Sequence, residues 1–101
     1  MKAKFVASPL TFEKLPGNFY RDGYVPKYQG VPYTISGNTV TYTEDITGES
    51  IPEEEINKWF DDQTAAFKGA AADIMNYTGV SGVRFVYNLT INGSVAYSRT
   101  Y

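Results

Sequence analysis

Two dipeptides constrain the layout of this chain more than any other feature. Gly37-Asn38 and Asn92-Gly93 each sit between runs in which apolar and polar residues alternate. That is the pattern of a two-residue β-hairpin turn. Gly at the first turn position suits a type II′ turn, and Asn-Gly is the strongest short signal for type I′. The first turn sets Ser36 opposite Thr39, Ile35 opposite Val40 and Tyr33 opposite Tyr42. Ile35, Val40, Tyr33 and Tyr42 then share one face, because strand side chains alternate with period two. The second turn, read without a break over 83–101, pairs Ile91 with Ser94, Leu89 with Ala96, Tyr87 with Ser98 and Phe85 with Thr100. That register sends Tyr97, Arg99 and Tyr101 to the reverse face, together with Arg84, Val86, Asn88, Thr90 and Val95.

Between the hairpins, residues 50–77 follow a helical period. Ile56, Trp59, Phe60, Gln63, Phe67, Ala70 and Ile74 fall within one stripe at about 100° per residue. The opposite side carries Glu54, Glu55, Lys58, Asp61 and Asp62. Ser50 and Glu53 have the spacing of a capping box, with Pro52 in the first turn. Gly79 is the natural stop. Ala65, Ala66, Gly69, Ala70, Ala71 and Ala72 are small enough to bring the helix backbone close to a sheet.

The N-terminal third is less regular. Residues 2–7 alternate in the manner of a short edge strand, whose lysines discourage stray pairing. Residues 8–31 contain Pro9, Pro16 and Pro26 but also Leu10, Phe12, Leu15, Phe19, Tyr20, Tyr24, Val25 and Tyr28. Long loops in small domains are mostly functional or conceal a short element, here placed at 18–21. The reading is thus one α+β domain over 1–101: an antiparallel four- to five-stranded sheet in the order β-loop-ββ-α-ββ, with one long helix packed across one face.

Composition removes several chemistries. The 101 residues include no Cys and no His. Disulfide frameworks, thiolate nucleophiles, imidazole bases and Cys- or His-ligated metals are therefore absent from the candidates. No cofactor or metal is expected: Asp45-Ile46-Thr47-Gly48-Glu49 lacks calcium-loop spacing and reads as a polar turn. No window approaches the ~20 apolar residues of a membrane span, and the first residues lack a secretory h-region, so a cytoplasmic protein without a membrane partner is expected. Carboxylate pairs seven residues apart on the helix lie on its solvated side, where nothing tunes them for acid–base work. The expectation is therefore a non-enzyme.

Two surfaces remain as candidates. Tyrosine accounts for nine residues, and Phe19, Tyr20, Arg21, Tyr24 and Tyr28 crowd one loop. Large, rotor-poor rings with polar tips are what protein-recognition surfaces use. The leading expectation is a small protein-binding module, an inhibitor or adaptor acting by surface occlusion through that loop. The competing reading of the same rings is a minicore folded over the sheet.

Charge supplies the second surface. Residues 31–76 hold nine of the eleven carboxylates against two lysines. That block argues against binding nucleic acid, which calls for a basic face. Glu49, Glu53, Glu54, Glu55, Asp61 and Asp62 instead suit a basic groove, as in a nucleic-acid mimic of the kind a phage or mobile element directs at a nucleic-acid-binding protein. A homo-oligomeric structural subunit is the third class.

Overall fold

The computed structural model describes residues 10–47 and 51–101. The expected strand at 2–7, and Ser50 and Glu49 with it, lie outside the described residues. Four strands form one sheet in the order β1 (Tyr33–Ser36), β2 (Thr39–Ile46), β3 (Arg84–Ile91) and β4 (Ser94–Thr100). Helices α1 (Glu53–Asp62) and α2 (Thr64–Thr78) connect β2 to β3.

The first hairpin keeps the register its turn implies: Tyr33↔Tyr42, Ile35↔Val40 and Ser36↔Thr39. Gly37 has φ +58° while Asn38 does not enter the positive region, as a type II′ turn requires. Strand β2 then continues to Ile46, two residues beyond the expected hairpin end, so Asp45 and Ile46 belong to the ladder and not to a turn.

The sheet is mixed, not antiparallel throughout. Strands β2 and β3 pair in parallel from Thr39↔Arg84 to Ile46↔Ile91. The physical reason is the helical crossover. A helix traversing the sheet reverses the chain once, so the following strand runs in the same direction as the preceding one. Two hairpins joined by a helix therefore meet along a parallel seam.

The second hairpin departs from its expected register. Asn92 (φ 51°) and Gly93 (φ 86°) form the type I′ turn, and Ile91↔Ser94 and Thr90↔Val95 pair as expected. A bulge follows, so that Leu89 faces Tyr97, Tyr87 faces Arg99 and Val86 faces Thr100. Ala96 is the extra residue. One inserted residue moves every later side chain to the other face. Tyr97, Arg99 and Tyr101 thereby turn toward the helix, which corrects their expected placement on the reverse face. The Tyr101 ring lies 4.7 Å from that of Phe67.

The helical segment is long but begins at Glu53, with Pro52 outside it as the N-cap and no side-chain cap bond. The amides of Glu55 and Ile56 donate to the Pro52 carbonyl. Glu53 is therefore the first helical residue, not the third position of a capping box. At Gln63 the segment is irregular. The Phe60 carbonyl accepts from the Gln63 amide at 3.2 Å and also from the Tyr101 hydroxyl at 2.7 Å. A side chain entering the ladder in this way distorts a helix locally. Gly79 ends α2 in the left-handed region, φ 80°, with its amide on the Met75 carbonyl.

The expected stripe is the buried one. Ile56, Phe60, Phe67 and Ile74 pack with Val40, Tyr42, Phe85, Tyr87 and Leu89. Ala71 joins them, but Ala65, Ala66, Gly69 and Ala72 face solvent, so most of the small residues do not line the sheet contact. Phe67 is central, its ring within 5.4 Å of both Tyr42 and Phe85. Each buried tyrosine hydroxyl finds a partner, and that of Tyr42 donates to the Pro26 carbonyl.

Candidate functional site

The aromatic loop divides into an inner and an outer part, and the division is set by the first hairpin turn. Glu13 and Gly37 exchange two bonds: the Glu13 amide donates to the Gly37 carbonyl at 2.9 Å, and the Gly37 amide donates to the Glu13 carboxylate at 2.8 Å. The Phe12 amide donates to the Asn38 side-chain oxygen at 2.9 Å. This strap buries Phe12 completely.

Tyr28 re-enters the core. Its ring lies 5.7 Å from Tyr42, 5.9 Å from Phe67 and 6.1 Å from Tyr87, and its hydroxyl donates to Gln63 Oε1 at 3.0 Å. Burial raises its pKa. Tyr28 thus belongs to the packing, as the minicore alternative supposed.

Tyr20 and Tyr24 sit differently. The short element in the loop is a 3-10 turn over Arg21–Tyr24, displaced from the expected 18–21. Tyr20 is 75% exposed and its ring lies against Gly23, where a methyl group would meet it at 2.7 Å. Gly23 therefore allows the ring to rest on the backbone. Tyr24 is half-buried and stacks on Tyr77 of α2, with centroids 6.5 Å apart. Tyr77 is itself 69% exposed. Phe19 is half-buried, and its amide closes a turn onto Pro16.

Arg21 anchors the turn. Its guanidinium bonds Asp22 Oδ1 and the Glu13 carbonyl, both at 2.8 Å. The Asp22 carboxylate also accepts from the Tyr33 hydroxyl at 2.9 Å. The Arg21 bond first, and the Tyr33 bond second, hold the Asp22 carboxyl below the usual range. The structure thus stacks Tyr24 on Tyr77 and leaves Tyr20 exposed on the adjoining turn, which is tied to its neighbours. Sequence reasoning passed over Tyr77. Its signal was a large ring at the edge of the apolar stripe, at the same helical angle as Trp59 and two residues before the terminating Gly79.

The acidic candidates are scattered in role. Asp61 is paired with Arg99, and Asp62 accepts from Lys58 at 2.9 Å. Glu53, Glu54 and Glu55 are exposed on the first turn of α1, and among the described residues they make no ion pair. Two carboxylates of the set are therefore already neutralised within the chain.

A further acid went unremarked in the sequence. Glu44 follows Val40 and Tyr42 in the same alternation, which places it on the helix-facing side of β2, aligned with Leu89 and Tyr97. Its Oε1 accepts from the Tyr87 hydroxyl at 2.5 Å. Burial first, and this bond second, push the Tyr87 pKa far up. The signal was a charged residue at a position where the period calls for an apolar one.

Among the described residues no group of three or more acidic side chains is arranged to hold a metal ion, and no helix is long and apolar enough to cross a membrane. The chain matches no protein-family model, and no curated protein or solved structure is significantly similar to it.

Proposed function

We propose that this chain is a small, non-enzymatic protein-binding module, an inhibitor or adaptor whose contact surface is the aromatic patch of Tyr20, Tyr24 and Tyr77. One observation carries the reading: two of these rings are largely exposed, and the third is held between the core and one of them. Exposed rings already held in place lose little freedom on docking. Tyr is enriched among the few residues that dominate interface energetics. Phe19 and Arg21 border the patch, Arg21 as the residue that orders the turn, while Tyr28 acts from beneath as packing.

The test compares proteins retained by the immobilised wild type with those retained by a Tyr20→Ala/Tyr77→Ala double variant, followed by calorimetry on each purified candidate. A true partner should bind the double variant more weakly by about 2 kcal/mol or more. The affinity should change little with salt, in contrast to contact made through Glu53, Glu54 and Glu55. Equal affinity for wild type and variant, with a lowered melting temperature, would return the rings to a structural role.

A further inference from the structure

A cleft of about 260 Å³ opens between α1 and the ends of β2 and β3, on the helix-facing side of the sheet and lined by residues outside the tyrosine patch. It lies at the carboxyl ends of the two parallel strands, beside the first turns of the crossover helix. Units of strand, helix and parallel strand bind ligands at that place, because the chain must leave the sheet there and cannot fill the space.

The chemistry of the walls is selective. Ile46, Ile56 and Leu89 supply apolar surface, and Trp59 and Tyr87 present rings 4.8 Å apart, centre to centre. Among the described residues, the polar side-chain groups on the cleft are the carboxylates of Glu44 and Glu55, the hydroxyl of Tyr87 and the indole N–H of Trp59, and no cationic side chain lines it. Lys58 and Arg99, the cations of α1 and β4, are held by Asp62 and Asp61. Arg84 is on the opposite sheet face, since it lies one residue from inward-facing Phe85. Glu44 Oε1 accepts from Tyr87, and among the described residues its second oxygen has no side-chain or backbone donor.

Helix starts favour anions, but that preference amounts to half a charge and fades within one turn. Two full carboxylates outweigh it here. An anionic ligand would meet both carboxylates with no counter-charge from the described residues, and a neutral apolar one would leave the Glu44 oxygen unused. A cation over Trp59 gains ring attraction as well as the carboxylate.

We infer that this cleft binds a free small organic cation, an aromatic or aliphatic ammonium whose charged head meets Glu44 and whose apolar body rests against Trp59 and Leu89. The site goes beyond the protein-binding reading and stands without it. Trp59 is the one tryptophan of the chain, so its emission reports on occupancy directly.

The experiment titrates the full chain with 2-phenylethylammonium, with 3-phenylpropanoate and with Nα-acetyl-lysine amide while Trp59 emission is followed. Saturable binding of the ammonium, at least about tenfold tighter than of the carboxylate, is expected, because a bond to a charged group is involved. Glu44→Gln, which keeps an acceptor for Tyr87, should weaken ammonium binding about tenfold or more by removing that charge. Glu55→Gln, exposed on the helix and safe for folding, should weaken it only about threefold. Absence of saturation by the ammonium, equal binding of ammonium and carboxylate, or an unaltered Glu44→Gln titration would each overturn the inference. Tighter binding of the lysine amide than of the free amine would also overturn it, by assigning the cleft to a basic side chain of another protein.

Discussion

The two hairpins are made by the same device, a two-residue turn between alternating strands, yet only one keeps the register that its turn dictates. In β1–β2 every residue from Tyr33 to Tyr42 pairs as the turn requires. In β3–β4 the pairing holds for two positions and then slips at Ala96. The difference lies in what each hairpin must cover. β1–β2 places Tyr33, Ile35, Val40 and Tyr42 inward in its regular register. An unbroken β4 would place Ala96, Ser98 and Thr100 against the helix and leave Tyr97 and Tyr101 in water. The bulge exchanges these sets, so that a small polar row faces out and the Tyr101 ring reaches Phe67. Burial of a large ring is worth about 1.5–3 kcal/mol, enough to outweigh one broken ladder position. Local turn chemistry starts a register, and the demand for burial decides whether it continues.

This contrast can be tested by perturbing what the hairpins share and then what separates them. The largest effect should come from alkali. Tyr42 on the first hairpin and Tyr87 on the second both have pKa values raised above the ordinary value near 10, chiefly by burial. A raised acid of this kind contributes stability that is complete below the unfolded-state value and is lost as pH climbs through the folded-state one. The fold should therefore weaken steadily above about pH 10 and then be lost as the tyrosines ionise. The part of the tyrosinate absorbance that Tyr42→Phe and Tyr87→Phe remove should rise together with the loss of circular dichroism. Early ionisation of Tyr42 and Tyr87 in a folded chain would contradict their burial.

Phe67→Ala comes next, since this ring lies beneath both hairpins at once. Its loss should cost about 3–5 kcal/mol in denaturant unfolding. Tyr101→Ala discriminates between the registers. With the bulge it removes a ring from Phe67 and a bond from the Phe60 carbonyl, and should cost about 2–3 kcal/mol. Without the bulge the same change would fall on an exposed face and cost within about 0.5 kcal/mol.

The turns themselves should differ less. Gly37→Ala and Gly93→Ala each force a methyl group into positive φ, at about 1–2 kcal/mol apiece. A much smaller loss at Gly93 would mean that the bulge relieves its turn. Smallest of all, Arg99→Gln breaks a half-exposed pair with Asp61, and a shift below about 1 kcal/mol is expected.

Much of the candidate surface was visible in the residue order, though not its division. The loop was marked as aromatic by Tyr20, Tyr24 and Tyr28, and which of them would turn inward depended on partners 14 or more residues away. Tyr28 finds Gln63 and Phe67, whereas Tyr20 stays exposed against the backbone of Gly23. The helix stripe was readable because its period is local. Glu44 was hidden because its importance depends on which face the sheet presents to α1.

What the amino-acid order determined by itself is everything decided within a few bonds. That comprises the two turn types, the first hairpin's register, the buried stripe of the helix, its glycine stop, and the exclusion of thiol and imidazole chemistry. Tertiary structure alone decided the parallel seam between β2 and β3, the slip at Ala96, the withdrawal of Tyr28 from the surface and the position of Glu44 in a cleft. The reason is range. Dihedral preference and periodicity act along the chain, while strand direction and face are settled by which apolar surfaces can be buried against one another after the helix has brought distant segments together.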